Sequence, residues 1–248
     1  MKKLFEPDWG SLRQNPVALI RVPKTGGKSM SHLIDNNPNR YPIQVGCAHG
    51  TGIHCSYKEM SNPPENEENE EGWAKHTIVA VVRNPYSWLV SFYNHHGGGS
   101  WTGWLDEPWK YRTAGRDNPV MDFQQVIERW HRGFKPTFMQ PSGFITEQLY
   151  LGNTCKADVI IRFEKLQEGW GKTLAELCEC ESVLNGASLP HENKGRAAGF
   201  LRNHYNEYTI GLVQERFAHE LACYGYTIDG PTDDSIFIDP AKCHRSVQ

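Results

Sequence analysis

The 248-residue sequence lacks several features that would identify a common class of protein. Its seven cysteines do not form the paired spacing of a zinc finger or ribbon, because Cys178-Glu179-Cys180 has no second pair. The formal net charge of -3 gives no case for general nucleic-acid binding. No apolar run reaches the length of a membrane span, and residues 1–16 lack the apolar core of a signal peptide. These absences predict a cytoplasmic protein with reduced thiols, no structural metal, no nucleic-acid partner and no membrane span.

The sequence also lacks the phosphate loop of nucleoside triphosphatases. That loop needs a glycine five residues before Gly27, and the residue there is Val22. Kinase-like sites usually hold Mg²⁺ with an acidic residue at a neighbouring strand end. Here the strongest predicted strand is followed by Arg83, a cation that would repel the metal. A metal-dependent nucleotide kinase is therefore disfavoured, although it stays a rival interpretation.

Residues 17–30 have the pattern of a strand, a glycine turn and a helix. An apolar run over 17–22 predicts a buried parallel strand, and apolar residues at helical spacing predict a helix to about residue 35. A glycine turn between them points backbone N–H groups and a helix N-terminus at an anion. The residues that would bind a phosphate-like anion are Lys24, Thr25, Gly26, Gly27, Lys28 and Ser29.

Residues 77–82 form the strongest predicted strand, which should be central and buried on both faces. Asn84 suits a helix N-cap and Pro85 suits the first helical position, so a helix through about residue 94 should follow. Arg83 would then stand at a strand end beside a helix N-terminus. Ser91 would lie two turns into that helix, near the face of Asn84 and Ser87.

Residues 41–47 predict another strand, which leads into a glycine-broken loop with His49 and His54. If this strand is parallel to the first, both histidines emerge on the same side as Lys24, because ligands bind beyond the carboxyl ends of parallel strands. Histidine is well matched to general-base catalysis near neutral pH. The alternative, two solvated loop histidines, stays open at this point, and Glu59 is a further candidate base from the same region.

Two long segments have unusual composition. Residues 61–72 are acidic and have no apolar face, which predicts a surface insertion or, alternatively, a contact site for a basic partner. Residues 97–119 are rich in tryptophan and glycine. That loop could stack on sugar rings beside the site or form a packed cluster of its own.

The remaining elements are predicted from apolar spacing alone. Helices are expected over residues 121–130, 144–151 and 205–224 and around Leu174 and Leu177, a strand over 158–162, and a glycine-rich basic segment over 184–203.

Two motifs together resemble the sulfotransferases that use 3′-phosphoadenosine 5′-phosphosulfate (PAPS). The first, similar to that family's 5′-phosphosulfate loop, is Pro23-Lys24-Thr25-Gly26-Gly27-Lys28-Ser29. The second, similar to its 3′-phosphate motif, is Arg83-Asn84-Pro85-Tyr86-Ser87-Trp88-Leu89-Val90-Ser91-Phe92-Tyr93. Weaker similarity extends to residues 160–166 and 191–194, and the nearest branch is the carbohydrate type that includes heparan sulfate 2-O-sulfotransferases. The chain departs from the family at Trp88, where a second arginine is frequent, and at Lys28, where Thr or Ser is common.

The resemblance implies an α/β fold, specifically a P-loop-like three-layer αβα domain over residues 1–248 with a mainly parallel central sheet. It implies that PAPS is the donor, that adenosine 3′,5′-bisphosphate (PAP) is the product and that no metal is needed. The acceptor would be a hydroxyl on a carbohydrate or glycoconjugate. His49 corresponds best to the catalytic base, with His54 in reserve and Lys24 beside the transferred group. The loop containing Lys194, Gly195 and Arg196 corresponds to the segment that closes over the 3′-phosphate. The membrane anchor of the Golgi enzymes is missing, which implies a cytoplasmic relative.

The main rival to an enzyme of this type, besides a nucleotide kinase, is a binding module. Such a module would have kept the nucleotide- or glycan-binding fold and lost turnover. The sequence leaves the acceptor open among sugars, lipid head groups, phenols and peptides, and it does not predict an oligomeric state.

Overall fold

The computed structural model describes residues 4–35, 43–45, 75–95, 122–132, 147–178, 189 and 201–243. The chain divides into two compact units. The first contains Met1–Arg83, Ile145–Lys194 and Asp233–Gln248, and the second contains Asn84–Phe144 and Gly195–Thr232. The prediction of one sulfotransferase domain over residues 1–248 stays a prediction, and each unit is described by itself.

The described residues contain both helices and strands. The α-helices are α1 (Trp9–Leu12), α2 (Gly27–Asp35), α3 (Pro85–His95), α4 (Phe123–His131), α5 (Leu166–Cys178), α6 (Glu207–Arg216) and α7 (Ala218–Tyr224). The strands are β1 (Val17–Ile20), β2 (Ile43–Val45), β3 (Thr77–Val82), β4 (Tyr150–Leu151), β5 (Thr154–Cys155), β6 (Val159–Arg162), β7 (Tyr226–Thr227), β8 (Gly230–Pro231) and β9 (Phe237–Ile238). Short 3₁₀ turns cover Glu147–Leu149, Phe163–Lys165, Arg202–His204 and Pro240–Cys243.

The first unit contains a five-stranded sheet in the order β2-β1-β3-β6-β9. β1 pairs in parallel with both β2 and β3, and β3 pairs in parallel with β6. β9 is antiparallel to β6, with Ile160 opposite Ile238. An α/β class with a mainly parallel sheet is therefore confirmed, and the antiparallel β9 is an addition that the sequence did not predict.

β3 is central because all six of its residues are apolar or β-branched and buried. Val79 and Val81 belong to a core cluster that also contains Met30 and Ile34 from α2 and Trp170 and Leu174 from α5. Side chains that alternate with these, such as Ala80, are buried as well. A parallel strand buried on both faces needs a continuous apolar run, which is what residues 77–82 supply.

The second unit is held by aromatic side chains on its helices. Trp88 of α3 stacks on Phe92 at a centroid distance of 5.0 Å, and Trp130 of α4 meets Trp88 edge-on at 5.4 Å. The predicted apolar face of α4 is confirmed. Its buried residues are Phe123, Val126, Ile127 and Trp130. Asp122 and Gln125 cap this helix reciprocally, which explains why it begins at residue 123.

Two predicted helices differ from the structure. Residues 147–155 form a 3₁₀ turn and the β4–β5 hairpin, because Gly152 adopts a φ of +61° that suits a two-residue turn. The predicted helix over 205–224 is two helices, α6 and α7. Phe217 leaves helical geometry at the junction, with φ −110° and ψ 23°.

The four cysteines in the described part of the chain fall into two groups. Cys155 and Cys178 are free thiols, with Cys155 buried, whereas Cys223 and Cys243 are disulfide-bonded. The expectation of reduced thiols is therefore wrong for Cys223 and Cys243. Disulfide bonds persist mainly in oxidising compartments. Within the part of the chain that the structure describes, none of the helices has the length and apolar character of a membrane span.

Candidate functional site

The loop between β1 and α2 has an unusual backbone. Lys24 has a φ of +62° and Gly26 a φ of +82°. Left-handed geometry is strained for a lysine, and such strain tends to occur where a loop is shaped for a ligand. A Cβ on Gly26 would lie 2.6 Å from Cδ2 of Leu166, so a side chain there would require Leu166 to move. The predicted tight turn is confirmed, and its shape requires residues that tolerate positive φ.

Thr25 supports this loop from inside. Its side chain is fully buried, and its hydroxyl donates a hydrogen bond to the Val22 carbonyl oxygen at 2.8 Å. That proton is therefore used within the loop, whereas the sequence suggested that it would face an anion. The side chain of Ser29, one turn into α2, is half-buried.

Lys24 and Arg83 come together although 58 residues separate them in the sequence. They follow adjacent parallel strands, β1 and β3, so both leave the same edge of the sheet. Arg83 Nη1 donates a hydrogen bond to the Lys24 carbonyl oxygen at 3.1 Å. Both side chains are half-buried. The structure thus joins the two predicted anion-binding motifs at their first basic residues.

This arrangement changes the electrostatics of Lys24. Partial burial lowers the pKa of Lys24, and the positive charge of Arg83 lowers it further. Two cations held beside each other repel, and each loses part of its hydration. A bound anion would offset both penalties by its attraction to the two cations. The pair is therefore suited to bind a negatively charged group.

Arg21 and Phe163 also border the loop, and sequence reasoning did not select either. Nε of Arg21 lies 3.3 Å from where a Cβ on Gly27 would sit, at the start of α2. Burial lowers the pKa of Arg21, and the nearby Asp35 opposes that shift. The ring of Phe163 lies under the Arg83 guanidinium, with Cζ 4.4 Å from the ring centroid. The sequence signals for Phe163 are its position directly after a strand end and its place within residues 160–166, where the weaker similarity lies.

In the second unit, Asn84 caps α3 as predicted. Its Oδ1 accepts a hydrogen bond from the Tyr86 N–H at 3.0 Å, and its Nδ2 donates to the Thr227 carbonyl oxygen at 2.7 Å. Ser91 is half-buried on α3. A cleft of about 390 Å³ in this unit is lined by Tyr86, Gln214 and Leu221 among others, and none of the site candidates within the described residues is among its lining.

Several predicted residues lie outside the described part of the chain. These are His49, His54, Glu59, Lys194, Gly195 and Arg196, together with the segments 61–72 and 97–119. Lys28 belongs to α2, but its side chain is also outside the described part. Their roles stay predictions.

Among the residues that the structure describes, no group of three or more His, Cys, Asp or Glu side chains could hold a metal ion.

In comparisons with known proteins, no protein-family model matches the chain and no curated protein matches it.

Proposed function

We propose that the protein is a PAPS-dependent sulfotransferase that transfers a sulfuryl group to an acceptor hydroxyl on a carbohydrate or glycoconjugate. The observation that supports this best is the contact between Arg83 and Lys24. It joins two motifs that each resemble part of a PAPS site. The proposal includes a P-loop-like three-layer αβα architecture, of which the mainly parallel sheet is the part already described.

The charges of the loop fit a donor with two anionic groups. Lys24 follows β1 and Arg83 follows β3, so the edge of the sheet presents two cations at neighbouring strands. PAPS carries a 5′-phosphosulfate and a 3′-phosphate. By the resemblance, the first would contact Lys24 to Ser29, and the second would contact Arg83 and Ser91. Lys194, Gly195 and Arg196 would close over the 3′-phosphate.

In the proposed reaction the acceptor oxygen forms a bond to sulfur while the bond from sulfur to the 5′-phosphate oxygen breaks. His49 takes the acceptor proton, with His54 in reserve. Lys24, Lys28 and backbone N–H groups of the loop stabilise the charge that develops on the leaving phosphate oxygen. PAP then leaves, and no step needs a metal ion.

Calorimetry with adenosine 3′,5′-bisphosphate and AMP tests the donor site. We expect the bisphosphate to bind far more tightly than AMP or ATP. Arg83→Gln should weaken bisphosphate binding by about 1.5–3 kcal/mol, the scale of a charged hydrogen bond. Arg13→Gln is the matched control, because Arg13 is an exposed arginine paired with Glu176 in the same unit. Equal affinity for AMP and the bisphosphate would contradict the proposal, and Mg²⁺-dependent ATP binding would favour a nucleotide kinase.

Turnover tests the chemistry. Incubating the protein with labelled PAPS and a cell extract, then identifying the labelled product, would reveal the acceptor class. His49→Ala should bind the bisphosphate nearly as well as the parent but lose roughly 10²–10⁴-fold in turnover, the usual contribution of general-base catalysis. If His54→Ala has the larger effect, the base has been assigned to the wrong histidine. Binding without any turnover across a broad acceptor panel would favour the binding module.

The compartment is a separate part of the proposal. The sequence predicts a cytoplasmic protein, but the disulfide bonds at Cys223 and Cys243 argue against a reducing environment. Alkylating thiols in intact cells before lysis, followed by peptide mass spectrometry, would decide. Alkylated Cys223 and Cys243 would support the cytoplasm, and protection from the reagent would support an oxidising compartment.

A further inference from the structure

Phe163 is the first residue after β6, at the sheet edge where Lys24 and Arg83 also lie. Its half-buried ring faces the Arg83 guanidinium, with Cζ 4.4 Å from the ring centroid. At this separation the negative face of an aromatic ring attracts a guanidinium, because the distance is well within the 6 Å limit for such pairs. The ring therefore restricts where the Arg83 charge can lie.

The same ring borders the anion loop. Its Cε2 atom lies 3.6 Å from the position that a Cβ on Gly26 would take. Arg83 in turn donates its hydrogen bond to the carbonyl oxygen of Lys24, two residues earlier in that loop. Phe163, Arg83 and the loop thus make a closed set of contacts within one unit.

These contacts oppose the repulsion between the charges of Arg83 and Lys24. The charge of Arg83 acts against the charge of Lys24, so repulsion would drive the long Arg83 side chain away from the loop. A phenylalanine ring has only two rotatable bonds, so it can hold a guanidinium at little entropic cost. An arginine already held in place loses less freedom when it binds an anion.

We propose that Phe163 is a positioning residue for the donor site, which holds Arg83 in the geometry that binds the second phosphate of the nucleotide. This inference rests on the proposed function, since it assumes that Arg83 binds a phosphate. In this role Phe163 acts on the nucleotide through the Arg83 guanidinium. It sets specificity for the bisphosphate over the monophosphate because it acts through Arg83.

Calorimetry of Phe163 variants tests this role. Phe163→Leu keeps apolar bulk but removes the aromatic face, and it should weaken bisphosphate binding roughly 3- to 30-fold, the range of a cation–π contact. AMP binding should change less than about 2-fold, because AMP lacks the second phosphate that Arg83 would bind. Phe163→Tyr keeps the face and should bind like the parent. Bisphosphate affinity of Phe163→Leu equal to that of the parent would overturn the inference.

A double-mutant cycle separates positioning from general loosening of the fold. In an Arg83→Gln background, Phe163→Leu should have no further effect on bisphosphate affinity, because the guanidinium it holds is gone. If the two losses simply add, Phe163 acts on the fold and not through Arg83, and the inference is wrong. The urea midpoint of each variant shows whether it is folded.

A change that preserves shape covers the case in which Phe163→Leu does not fold. Fluorinated phenylalanines at position 163 weaken the negative ring face in steps while keeping its volume. Bisphosphate affinity should fall steadily as fluorine atoms are added, and a flat response would overturn the inference. If the parent binds AMP and the bisphosphate equally, the proposed function fails first, and the role of Phe163 fails with it.

Discussion

The turn after β1 is shaped by its backbone, whereas the turn after β3 is shaped by side chains. In the first, Lys24 and Gly26 have positive φ, and a side chain at position 26 would collide with Leu166. In the second, Arg83 makes contacts through its guanidinium, and Asn84 caps α3 with its amide. Substitutions in the first turn that disfavour a positive φ should therefore damage folding and binding together. In the second turn the two effects should be separable.

Gly26→Ala should have the largest effect on stability. An alanine at φ +82° is strained, and its Cβ would approach Leu166 Cδ2 within 2.6 Å. We expect a loss of about 3 kcal/mol in the free energy of unfolding, measured by urea denaturation. Gly152→Ala is the matched control, because Gly152 also has positive φ but nothing lies within 4 Å of its Cβ position. Equal losses in the two variants would mean that Leu166 moves aside and that only the backbone angle matters.

Asn84→Ala tests the side-chain turn. It removes the cap on the Tyr86 N–H and the hydrogen bond that the amide donates to the Thr227 carbonyl oxygen. Loss of a helix cap typically costs about 0.5–2 kcal/mol, so we expect a drop in that range by thermal or urea unfolding. Asn84→Asp keeps the acceptor oxygen but not the donor, and should lose less. An Asn84→Ala variant as stable as the parent would show that other contacts fix the start of α3.

Lys24→Asn should separate stability from binding in the first turn. Asparagine tolerates positive φ better than lysine, and the change removes the cation that repels Arg83. We expect unfolding free energy to stay the same or rise by up to about 1 kcal/mol, with bisphosphate binding strongly reduced. A clear loss of stability would mean that the lysine side chain itself supports the loop.

The pH dependence of binding gives the smallest and most specific effect. The pKa of Lys24 is lowered in the folded chain, so Lys24 begins to lose its proton at a lower pH than an ordinary lysine does. A bound anion favours the charged form of Lys24 and so raises its pKa. At a pH between the pKa of the free protein and that of the complex, binding should therefore take up a proton. Calorimetry in buffers of different ionisation enthalpy measures this uptake, and Lys24→Asn should abolish it.

The lowered pKa of Lys24 also determines whether the free energy of unfolding rises or falls with pH. The unfolded chain holds a proton on Lys24 up to the ordinary lysine pKa, whereas the folded chain releases it earlier. The contribution of Lys24 to the free energy of unfolding should therefore rise as pH increases through the lowered pKa. A fall across that window would contradict the assigned direction.

The sequence predicted the elements whose patterns are long and local. The apolar run of β3 and the Asn-Pro start of α3 each mark their element without help from the rest of the chain. β9 has only two residues, Phe237 and Ile238, too few to carry a period. The break at Phe217 was hidden because an apolar stripe continues across it. For residues 147–155, Gly152-Asn153 was a usable hairpin signal that the helical interpretation overlooked.

The candidate site was predictable in composition but not in contacts. Glycine and lysine in one turn, and arginine at a strand end, indicate an anion site from sequence alone. The ring of Phe163 beneath Arg83 depends on how β6 lies beside β3, which no local pattern encodes. The hydroxyl of Thr25 was assigned to a ligand because its alternative acceptor, the Val22 carbonyl oxygen, becomes visible only in the folded loop.

The antiparallel pairing of β9 has a consequence for how the chain is made. Ribosomes deliver β6 well before β9, so the outer edge of β6 lacks its partner while the intervening residues are synthesised. Arg162, at the end of β6, is also buried, and its guanidinium contacts Asp233 and Ser235, which arrive with the same late segment. The nascent sheet thus combines an open strand edge with a cation that lacks these two oxygen partners. Such pairing across a long sequence separation raises the contact order and slows folding. A chaperone that covers strand edges would act most usefully on this protein in the interval before residue 233 emerges.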